Sequence, residues 1–311
     1  SLRIEDTMLN QNTWAAVKEA NRRGILDGVG PGANKVWYLY PQGDGPSGSF
    51  TTFTTLAPNL RSRDVIILGG VLKEQATTPQ DIFDVTIIGA ANRPRQAIDA
   101  GVATGGGASW LAPASPVATT PLLKIREQGW SIYNVMFAPV ASSACIRLSR
   151  AETAADMDGS HAIIEGCYFV GGGSGGIGIE DVGGCSRVLI RNNRFELLTG
   201  TAIKGISTGI AVPSGWRITG NRFNANTNAI AMSLTEGLVD NNFIRQTAND
   251  TNNKVNLISV SAQGSLNQVI ENIFPDAAAN VTIAKGYKPG TTDVWRNKVT
   301  DTAADIVTVP S

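Results

Sequence analysis

The second half of the chain repeats an Ile–x–x–Asn–x–Phe pattern, and this repeat limits the possible folds more than any other feature. An aromatic position defines the repeat, with these members: Phe137, Phe169, Phe195, Phe223, Phe243 and Phe274, then Val299 in the last copy. Five residues earlier stands an aliphatic residue: Ile132, Ile164, Ile190, Ile218, Leu238, Val269 and Val294. Two residues before the aromatic position, five copies carry Asn193, Asn221, Asn241, Asn272 and Asn297. Repeats of this length, at a mean of 27 residues, predict a solenoid.

Each copy continues into a second apolar stretch, such as the one at 144–148. Coils built from such short strands cannot bury their apolar side chains alone, so they stack about 4.8 Å apart and share one core. The aromatic and aliphatic positions then form ladders that point inward. Asn suits the bend, because it tolerates left-handed backbone angles and its amide can bond to the same amide one coil away. The predicted fold is all-β, a right-handed parallel β-helix solenoid.

The domain organisation follows from where the repeat begins and where it is interrupted. Residues 1–34 are predicted to be a short N-terminal capping α-helix and a lead-in, with Trp14, Val17 and Ala20 on the apolar side of the helix. A helix there would cover the open end of the solenoid. Residues 35–311 are predicted to form the β-helix, with loop insertions near 90–121, 150–160 and 245–254.

Composition narrows the range of partners. Lys and Arg together number 26, and so do Asp and Glu, so no global field attracts nucleic acid. No apolar run reaches the ~18 residues of a membrane span, so membrane insertion is not expected. The cysteines Cys145, Cys167 and Cys185 have no metal-binding spacing and are predicted to be buried thiols. We therefore expect neither a metal nor a cofactor.

The Val-Thr-Ile-Ile-Gly segment at 85–89 and the repeated Ile–x–x–Asn–x–Phe resemble the pectin-lyase-like right-handed β-helix superfamily. The Gly- and Ala-rich insertion that ends at Trp110 is similar to bacteriophage virion and tailspike-type proteins with this fold. The resemblance covers most of residues 35–311. It implies a superfamily of polysaccharide lyases and hydrolases, phage depolymerases, and members without catalysis.

The repeat places two acidic residues on consecutive coils, where they could act as a pair of catalytic carboxyls. Asp240 and Glu271 each stand three residues before the aromatic position on consecutive coils, so their carboxyls are expected about 5 Å apart, near the spacing of a retaining glycosidase pair. Arg296 holds the same position one coil later, which favours a surface charge ladder. Glu165 and Arg191 are predicted to form a similar pair on neighbouring coils.

A second acidic cluster consists of Asp156, Asp158, Glu180 and Asp181. Carboxylates of this kind can bind Ca²⁺ in a lyase, which also needs a basic residue to abstract a proton. The single histidine, His161, leaves no basis for a His-dependent nucleophile and is predicted to be a turn residue.

Tryptophans complete the set of candidates. Trp110 follows three glycines and is interpreted either as a platform that stacks on a sugar ring or as an apolar plug beneath its loop. Trp130 and Trp216 both stand seven residues before the aromatic position and are predicted to be packed.

Three hypotheses of function follow from these observations, one of which is a secreted bacterial adhesin or pectinase-like enzyme. The favoured one is a structural virion protein of a bacteriophage (a spike, fibre or capsid-decorating component), a homotrimer that contacts other virion proteins and host surface polysaccharide. A secreted location is the alternative to the virion. The competing function is a polysaccharide depolymerase that uses a pair of the carboxylates named above. The missing acid–base constellation favours the structural role, and no catalytic residue is assigned.

Overall fold

Three parallel sheets run along the chain and form the walls of a right-handed parallel β-helix, as predicted. The computed structural model describes residues 35–90, 95–99, 102–139, 142–150, 158–171, 176–205, 212–232, 234–245, 254–257, 267–274, 292–295 and 298–299. The predicted N-terminal helix, Asp156, Arg296 and Asn297 lie outside these residues. The fold confirms the resemblance to right-handed β-helix proteins at the level of architecture.

The strands of the first half are β1 (Val36–Leu39), β2 (Val65–Leu68), β3 (Val71–Lys73), β4 (Ala76–Thr77), β5 (Thr86–Gly89), β6 (Arg95–Asp99), β7 (Val102–Gly106), β8 (Ser109–Leu111), β9 (Leu123–Ile125), β10 (Ser131–Tyr133), β11 (Met136–Ala138), β12 (Ala144–Ser149), β13 (Ile163–Glu165) and β14 (Tyr168–Val170). Those of the second half are β15 (Ile177–Val182), β16 (Leu189–Arg191), β17 (Arg194–Glu196), β18 (Thr201–Gly205), β19 (Arg217–Thr219), β20 (Arg222–Asn224), β21 (Asn228–Met232), β22 (Leu238–Asp240), β23 (Phe243–Arg245), β24 (Lys254–Leu257), β25 (Asn267–Ile270), β26 (Ile273–Phe274), β27 (Thr292–Trp295) and β28 (Lys298–Val299).

A complete coil of the solenoid contributes one strand to each of the three walls. Sheet A contains β1, β2, β5, β10, β13, β16, β19, β22, β25 and β27 in that order. Sheet B contains β3, β8, β11, β14, β17, β20, β23, β26 and β28. Sheet C contains β4, β9, β12, β15, β18, β21 and β24. The neighbouring strands within each sheet pair in parallel, while β6 and β7 form a separate antiparallel hairpin.

The interior is filled by the ladders that the repeat predicts. Four phenylalanines of sheet B are fully buried and stack on one another, with ring centroids 5.3, 4.7 and 5.0 Å apart: Phe137, Phe169, Phe195 and Phe223. Aliphatic side chains of sheet A face them from the next wall: Ile132, Ile164, Ile190 and Ile218. Stacked apolar side chains from successive coils therefore form one continuous core.

One coil departs from the predicted alignment by a single residue. Phe223 pairs with Ile244 and not with Phe243, and Ile218 pairs with Val239 and not with Leu238. Successive side chains of a strand point to opposite faces, so this shift moves Phe243 from the predicted interior to the outside of sheet B. Placing Phe243 in the interior ladder was therefore wrong, because the interior position is held by Ile244.

The buried asparagine ladder shows the same shift. Its members are Asn193, Asn221, Asn242 and Asn272, each buried, so the assignment of Asn241 to the ladder was wrong. In each step an amide Nδ2 donates to the Oδ1 of the next asparagine over 2.9 to 3.1 Å. The same amide also donates to a carbonyl of sheet A in the preceding coil. The ladder therefore ties three coils together at Asn193, Asn221 and Asn242.

The left-handed bend lies one residue before the ladder and not on it. The residues with positive φ at this corner are Gly70, Gly107, Asn134, Gly166, Asn192, Gly220, Asn241 and Glu271. The expectation that the ladder asparagines adopt this conformation was therefore wrong. Asn and Gly are the residues that tolerate left-handed angles at least cost, which explains their repeated use. His161 has a φ of 60° and is a turn residue, as predicted.

A short helix closes the N-terminal end of the solenoid. The first coil contributes only β1, and the chain then forms helix α1 (Phe53–Leu56) and a 3₁₀ turn (Ala57–Asn59) before β2 begins. The hydroxyl of Thr52 caps α1, and the ring of Phe53 lies 5.6 Å from that of Trp110. Phe53 and Leu56 are fully buried. This helix therefore supplies apolar cover where the core would otherwise meet water.

The first predicted insertion is interrupted by a strand of the solenoid. Residues 109–111 form β8 and pair in parallel with β3 and β11 of sheet B. The insertion near 90–121 is therefore two insertions, one with the β6–β7 hairpin and one after β8. Because glycines precede Trp110, the segment resembled one long loop, and the strand at 109–111 was not predicted from the sequence.

Candidate functional site

Glu180 belongs to a charge ladder on the outside of sheet C. It lies in register between Arg147 and Lys204 on the neighbouring strands. One carboxylate oxygen is 2.9 Å from the Arg147 guanidinium, and the other is 3.1 Å from the Lys204 amine. Both oxygens are thus held by cations. This arrangement stabilises the surface of the sheet and gives Glu180 no free oxygen for catalysis.

Asp181, the next residue, occupies an inward position of sheet C and is only 2% exposed. Its carboxylate accepts hydrogen bonds from the backbone N–H groups of Gly184 (3.1 Å) and Cys185 (2.9 Å). Burial raises the pKa of Asp181 to about 6, and the nearby charge of Asp158 contributes in the same direction. Asp181 is therefore a buried carboxylate that titrates near neutral pH.

This titration predicts a pH dependence of stability. The pKa of Asp181 is about 6 in the fold against an ordinary value of 3.8, so the folded protein binds more protons between these pH values. Stability contributed by this group is then present at low pH and is lost as pH rises through about 6, by on the order of 3 kcal/mol. We expect Asp181→Asn to gain stability relative to the native chain between pH 4 and pH 7 (roughly the titration range) in urea unfolding. A constant difference across that range would contradict the assignment.

Asp158 lies close to Asp181, but its carboxylate is already hydrogen-bonded to other residues. It accepts hydrogen bonds from the Ser160 backbone N–H at 3.0 Å, from the Ser160 hydroxyl, and from the Gln128 amide at 3.2 Å. Within the part of the chain that the structure describes, no three His, Cys, Asp or Glu side chains are grouped as metal ligands. The Ca²⁺ hypothesis for the second acidic cluster thus gains no support from its described members.

Asp240 and Glu271 do not share a column as the sequence alignment predicted. Asp240 pairs with Ile270, and Glu271 follows Ile270 at the left-handed bend. The predicted pairing was wrong because it was counted from the misplaced aromatic of that coil. By contrast, Glu165 and Arg191 do pair in register, with 2.8 Å between Arg191 Nε and Glu165 Oε2. That surface ion pair is confirmed.

Trp110 is part of the core. It is fully buried, its ring stacks 6.1 Å from that of Phe137, and its indole N–H donates to the Glu74 carbonyl at 2.8 Å. The interpretation of Trp110 as a sugar-stacking platform was therefore wrong, and the apolar plug is the correct alternative. Trp130 and Trp216 are fully buried as well, as predicted.

The outside of sheet B carries a polar cluster that the sequence interpretation missed. Glu196 is 5% exposed and accepts hydrogen bonds from the Tyr168 hydroxyl, the Arg194 guanidinium (Nε at 2.7 Å) and the Asn224 amide (3.4 Å). The Arg194 guanidinium also lies 5.2 Å from the centre of the Tyr168 ring. Burial raises the pKa of Tyr168, and the Glu196 carboxylate raises it further. The buried carboxylate thus fixes the position of an exposed arginine over an aromatic ring.

The same surface continues over the next two coils with a second arginine and aromatic pair. Arg222 pairs in register with Phe243, and its guanidinium lies 5.1 Å from the centre of that ring. Arg245 lies in register with Asn224 in the neighbouring column. All three arginines are exposed. We call Tyr168, Arg194, Arg222, Phe243 and Arg245 the sheet B face.

A signal for this face exists in the sequence. The residues that flank the interior phenylalanines read Arg-Phe-Glu at 194–196 and Arg-Phe-Asn at 222–224. Neighbours of an inward residue in a strand point outward. Reading those flanking positions coil by coil would have found the arginines, whereas the search for carboxylates did not.

Comparisons with known proteins support the fold. No protein-family model and no curated protein sequence matches this chain. Among solved structures, ybhc of Escherichia coli is similar with a TM-score of 0.54 and 11% identity, over 91% of this chain and 93% of that one. The Streptococcus pneumoniae surface adhesin PfbA has a TM-score of 0.44 and 12% identity, over 94% and 82%. At such identities the similarity concerns the fold alone.

A tailspike protein of E. coli bacteriophage HK620, solved in complex with a pentasaccharide, is also similar. Its TM-score is 0.32 at 13% identity, and the match covers 92% of this chain and 60% of the tailspike. This chain therefore spans less than two thirds of that protein. The three parallel sheets, together with the similarity to ybhc, define the class as the right-handed parallel β-helix proteins. In the described part of the chain, no helix has the length and apolar character needed to cross a membrane.

Proposed function

We propose that this chain is a non-enzymatic β-helix protein on the outside of a bacteriophage particle, and that it binds an anionic glycan on the sheet B face. The observation that carries the binding role is the exposed series of arginines, two of them placed over aromatic rings. Planar guanidinium groups bind carboxylates and phosphates in a bidentate manner. The partly buried ring of Phe243 can also pack against the apolar face of a sugar, whereas Tyr168 is only 4% exposed and serves to position Arg194.

The geometry favours an extended polymer over a small ligand. Arg194 and Arg222 stand in one column on adjacent coils, and Phe243 follows them in the next coil. Strands of a sheet are about 4.8 Å apart, so the face offers similar contacts at a regular short spacing. Arg222 makes no ion pair with another described residue, so its charge is available to a ligand.

The experiment measures binding to an array of acidic and neutral bacterial surface polysaccharides. We expect the native chain to bind acidic members, with affinity that falls as salt is added. Arg222→Ala should weaken this binding by roughly tenfold, since it removes one charged hydrogen-bonding group. The matched control is Arg217→Ala, an exposed arginine of the same coil that lies on sheet A, which should leave binding unchanged.

Several results would contradict this proposal. A native chain that binds no member of the array has no glycan role, and equal losses in Arg222→Ala and Arg217→Ala would show a general charge effect. Release of reducing ends from a bound polysaccharide would establish the depolymerase instead.

A homotrimer that contacts other virion proteins remains part of the proposal. In the described residues, the exposed large apolar side chains are Phe83, Val117, Leu197 and Ile273, and they lie on different segments. Isolated apolar residues of this kind are normal on a protein surface. The location on the virion rests on the sequence resemblance described above.

A further inference from the structure

The outward side of sheet A is apolar over the first coils of the solenoid and becomes charged over the later ones. In one outward column, four successive coils present apolar or aromatic side chains: Tyr38, Ile67, Ile88 and Tyr133. The same column then continues with the charged residues Glu165 and Arg191. Val65 and Ala90 add to the apolar part. We call Tyr38, Val65, Ile67, Ile88 and Tyr133 the sheet A patch.

The sheet A patch is buried within a single chain, although its side chains point away from the core. Val65, Ile67 and Ile88 are each 1% exposed, and Tyr133 is 8% exposed. Within the described ranges, the partly buried apolar side chains packed against this cluster are Val36, Tyr38 and Ile163, which are neighbours on the same face. Same-face neighbours cannot exclude water from above a sheet. Another part of the same chain must therefore cover the patch.

We propose that residues 12–24 form an amphipathic helix that lies across the sheet A patch. The solenoid end, where the sequence predicted such a helix, is already closed by Phe53 and Leu56 of α1. The chain enters the fold at β1, the first strand of sheet A, so residues 1–34 end beside this patch. Trp14 and Val17 stand three residues apart, as required for one face of a helix.

The dimensions agree with this placement. A helix of residues 12–24 is about 20 Å long at ~1.5 Å per residue. Four strands at ~4.8 Å spacing present a surface of roughly the same extent. Residues 25–34 contain three glycines and can extend over at most about 33 Å, enough for the chain to reverse direction before β1. The charged residues Glu19, Arg22 and Arg23 then remain available to solvent.

The test is a cysteine pair in the full chain, Val17→Cys with Ile67→Cys. Cys145, Cys167 and Cys185 are buried and free, so they do not compete for the new thiols. After mild oxidation, we expect most chains to contain an intramolecular disulfide, identified by mass spectrometry of tryptic peptides. The matched control combines Val17→Cys with Met136→Cys, because Met136 is equally buried in an outward apolar cluster of the neighbouring sheet B. Few chains of the control should cross-link.

Other cross-links would overturn the proposal. A disulfide between two chains would identify a second copy as the occupant of the patch. Cross-linking of Ile67→Cys with Ala103→Cys, and not with Val17→Cys, would assign the patch to the β6–β7 hairpin. Equal cross-linking of Val17→Cys to both sheets would show that residues 12–24 have no fixed position.

A second measurement covers the case in which the double variant does not fold. Ile67→Cys alone should react slowly with a thiol reagent, because the patch is covered. Adding Trp14→Glu should raise the labelling rate by roughly tenfold, because a buried charge weakens the cover. No change in rate would contradict the role of the helix. A loss of the sheet signal in circular dichroism would separate unfolding from uncovering.

Discussion

Asn242→Ala is expected to lower the free energy of unfolding by roughly 4 kcal/mol, because it leaves several buried polar groups without partners. The Asn242 amide donates to the Ile218 carbonyl at 2.8 Å and to Asn272 Oδ1 at 2.9 Å. Its Oδ1 accepts from the backbone N–H and the amide of Asn221 at 2.9 and 3.0 Å. Alanine replaces none of these bonds, and the site is too buried for bulk water to do so. Urea unfolding followed by circular dichroism measures the loss.

The neighbouring residue provides the control. Asn241 is exposed, has a φ of 53°, and donates its amide to Asp240. Asn241→Gly should cost less than about 1 kcal/mol, because glycine adopts positive φ without strain. The two variants therefore test the register of this coil directly. If Asn241→Gly were the more damaging change, Asn241 and not Asn242 would be the ladder residue of this coil.

Phe195→Ala is expected to cost about 3 to 5 kcal/mol, the range for removal of a fully buried aromatic ring. The Phe195 ring stacks between those of Phe169 and Phe223, with centroids 4.7 and 5.0 Å away. Both faces of the ring are thus in contact within the core. Neighbouring coils are tied by hydrogen bonds above and below, so the cavity cannot collapse readily. Thermal or urea unfolding of the full chain reports this cost.

Phe243→Ala is the matched control on the other side of sheet B. The Phe243 ring is only partly buried and lies beneath the Arg222 guanidinium. Its removal should cost about 1 kcal/mol, the size of a surface cation–π contact with some lost packing. Equal losses for Phe195→Ala and Phe243→Ala would show that both rings are interior. Phe243→Ala should in addition weaken glycan binding, whereas Phe195→Ala should act on stability.

The solenoid could be predicted from the sequence because the residues that repeat are those that face the core. An interior phenylalanine, an aliphatic residue five positions earlier and an asparagine between them recur, since every coil must fill the same cross-section. The prediction failed in the coil at 238–245, where Phe243 and Ile244 are adjacent and either can occupy the interior position. The larger side chain was assigned to the interior, whereas the buried Asn242 was the better guide.

The candidate site was harder to predict, because it depends on which residues lie side by side across coils. Tyr168, Arg194 and Phe243 are separated by long stretches of sequence and come together only through strand pairing. Glu180 looked available for catalysis until pairing placed it between two cations. Trp110 looked like a loop residue until β8 placed it in the core.

By itself, then, the amino-acid sequence determined the parallel β-helix, its stacked phenylalanines and the presence of an asparagine ladder. These features recur over several successive coils, so the sequence contains each of them more than once. Only the tertiary structure decided which asparagine joins the ladder at 241–242, which carboxylates are neutralised, and which arginines form one face. Those properties depend on register between coils, where a shift of one residue exchanges the inside of a sheet for its outside.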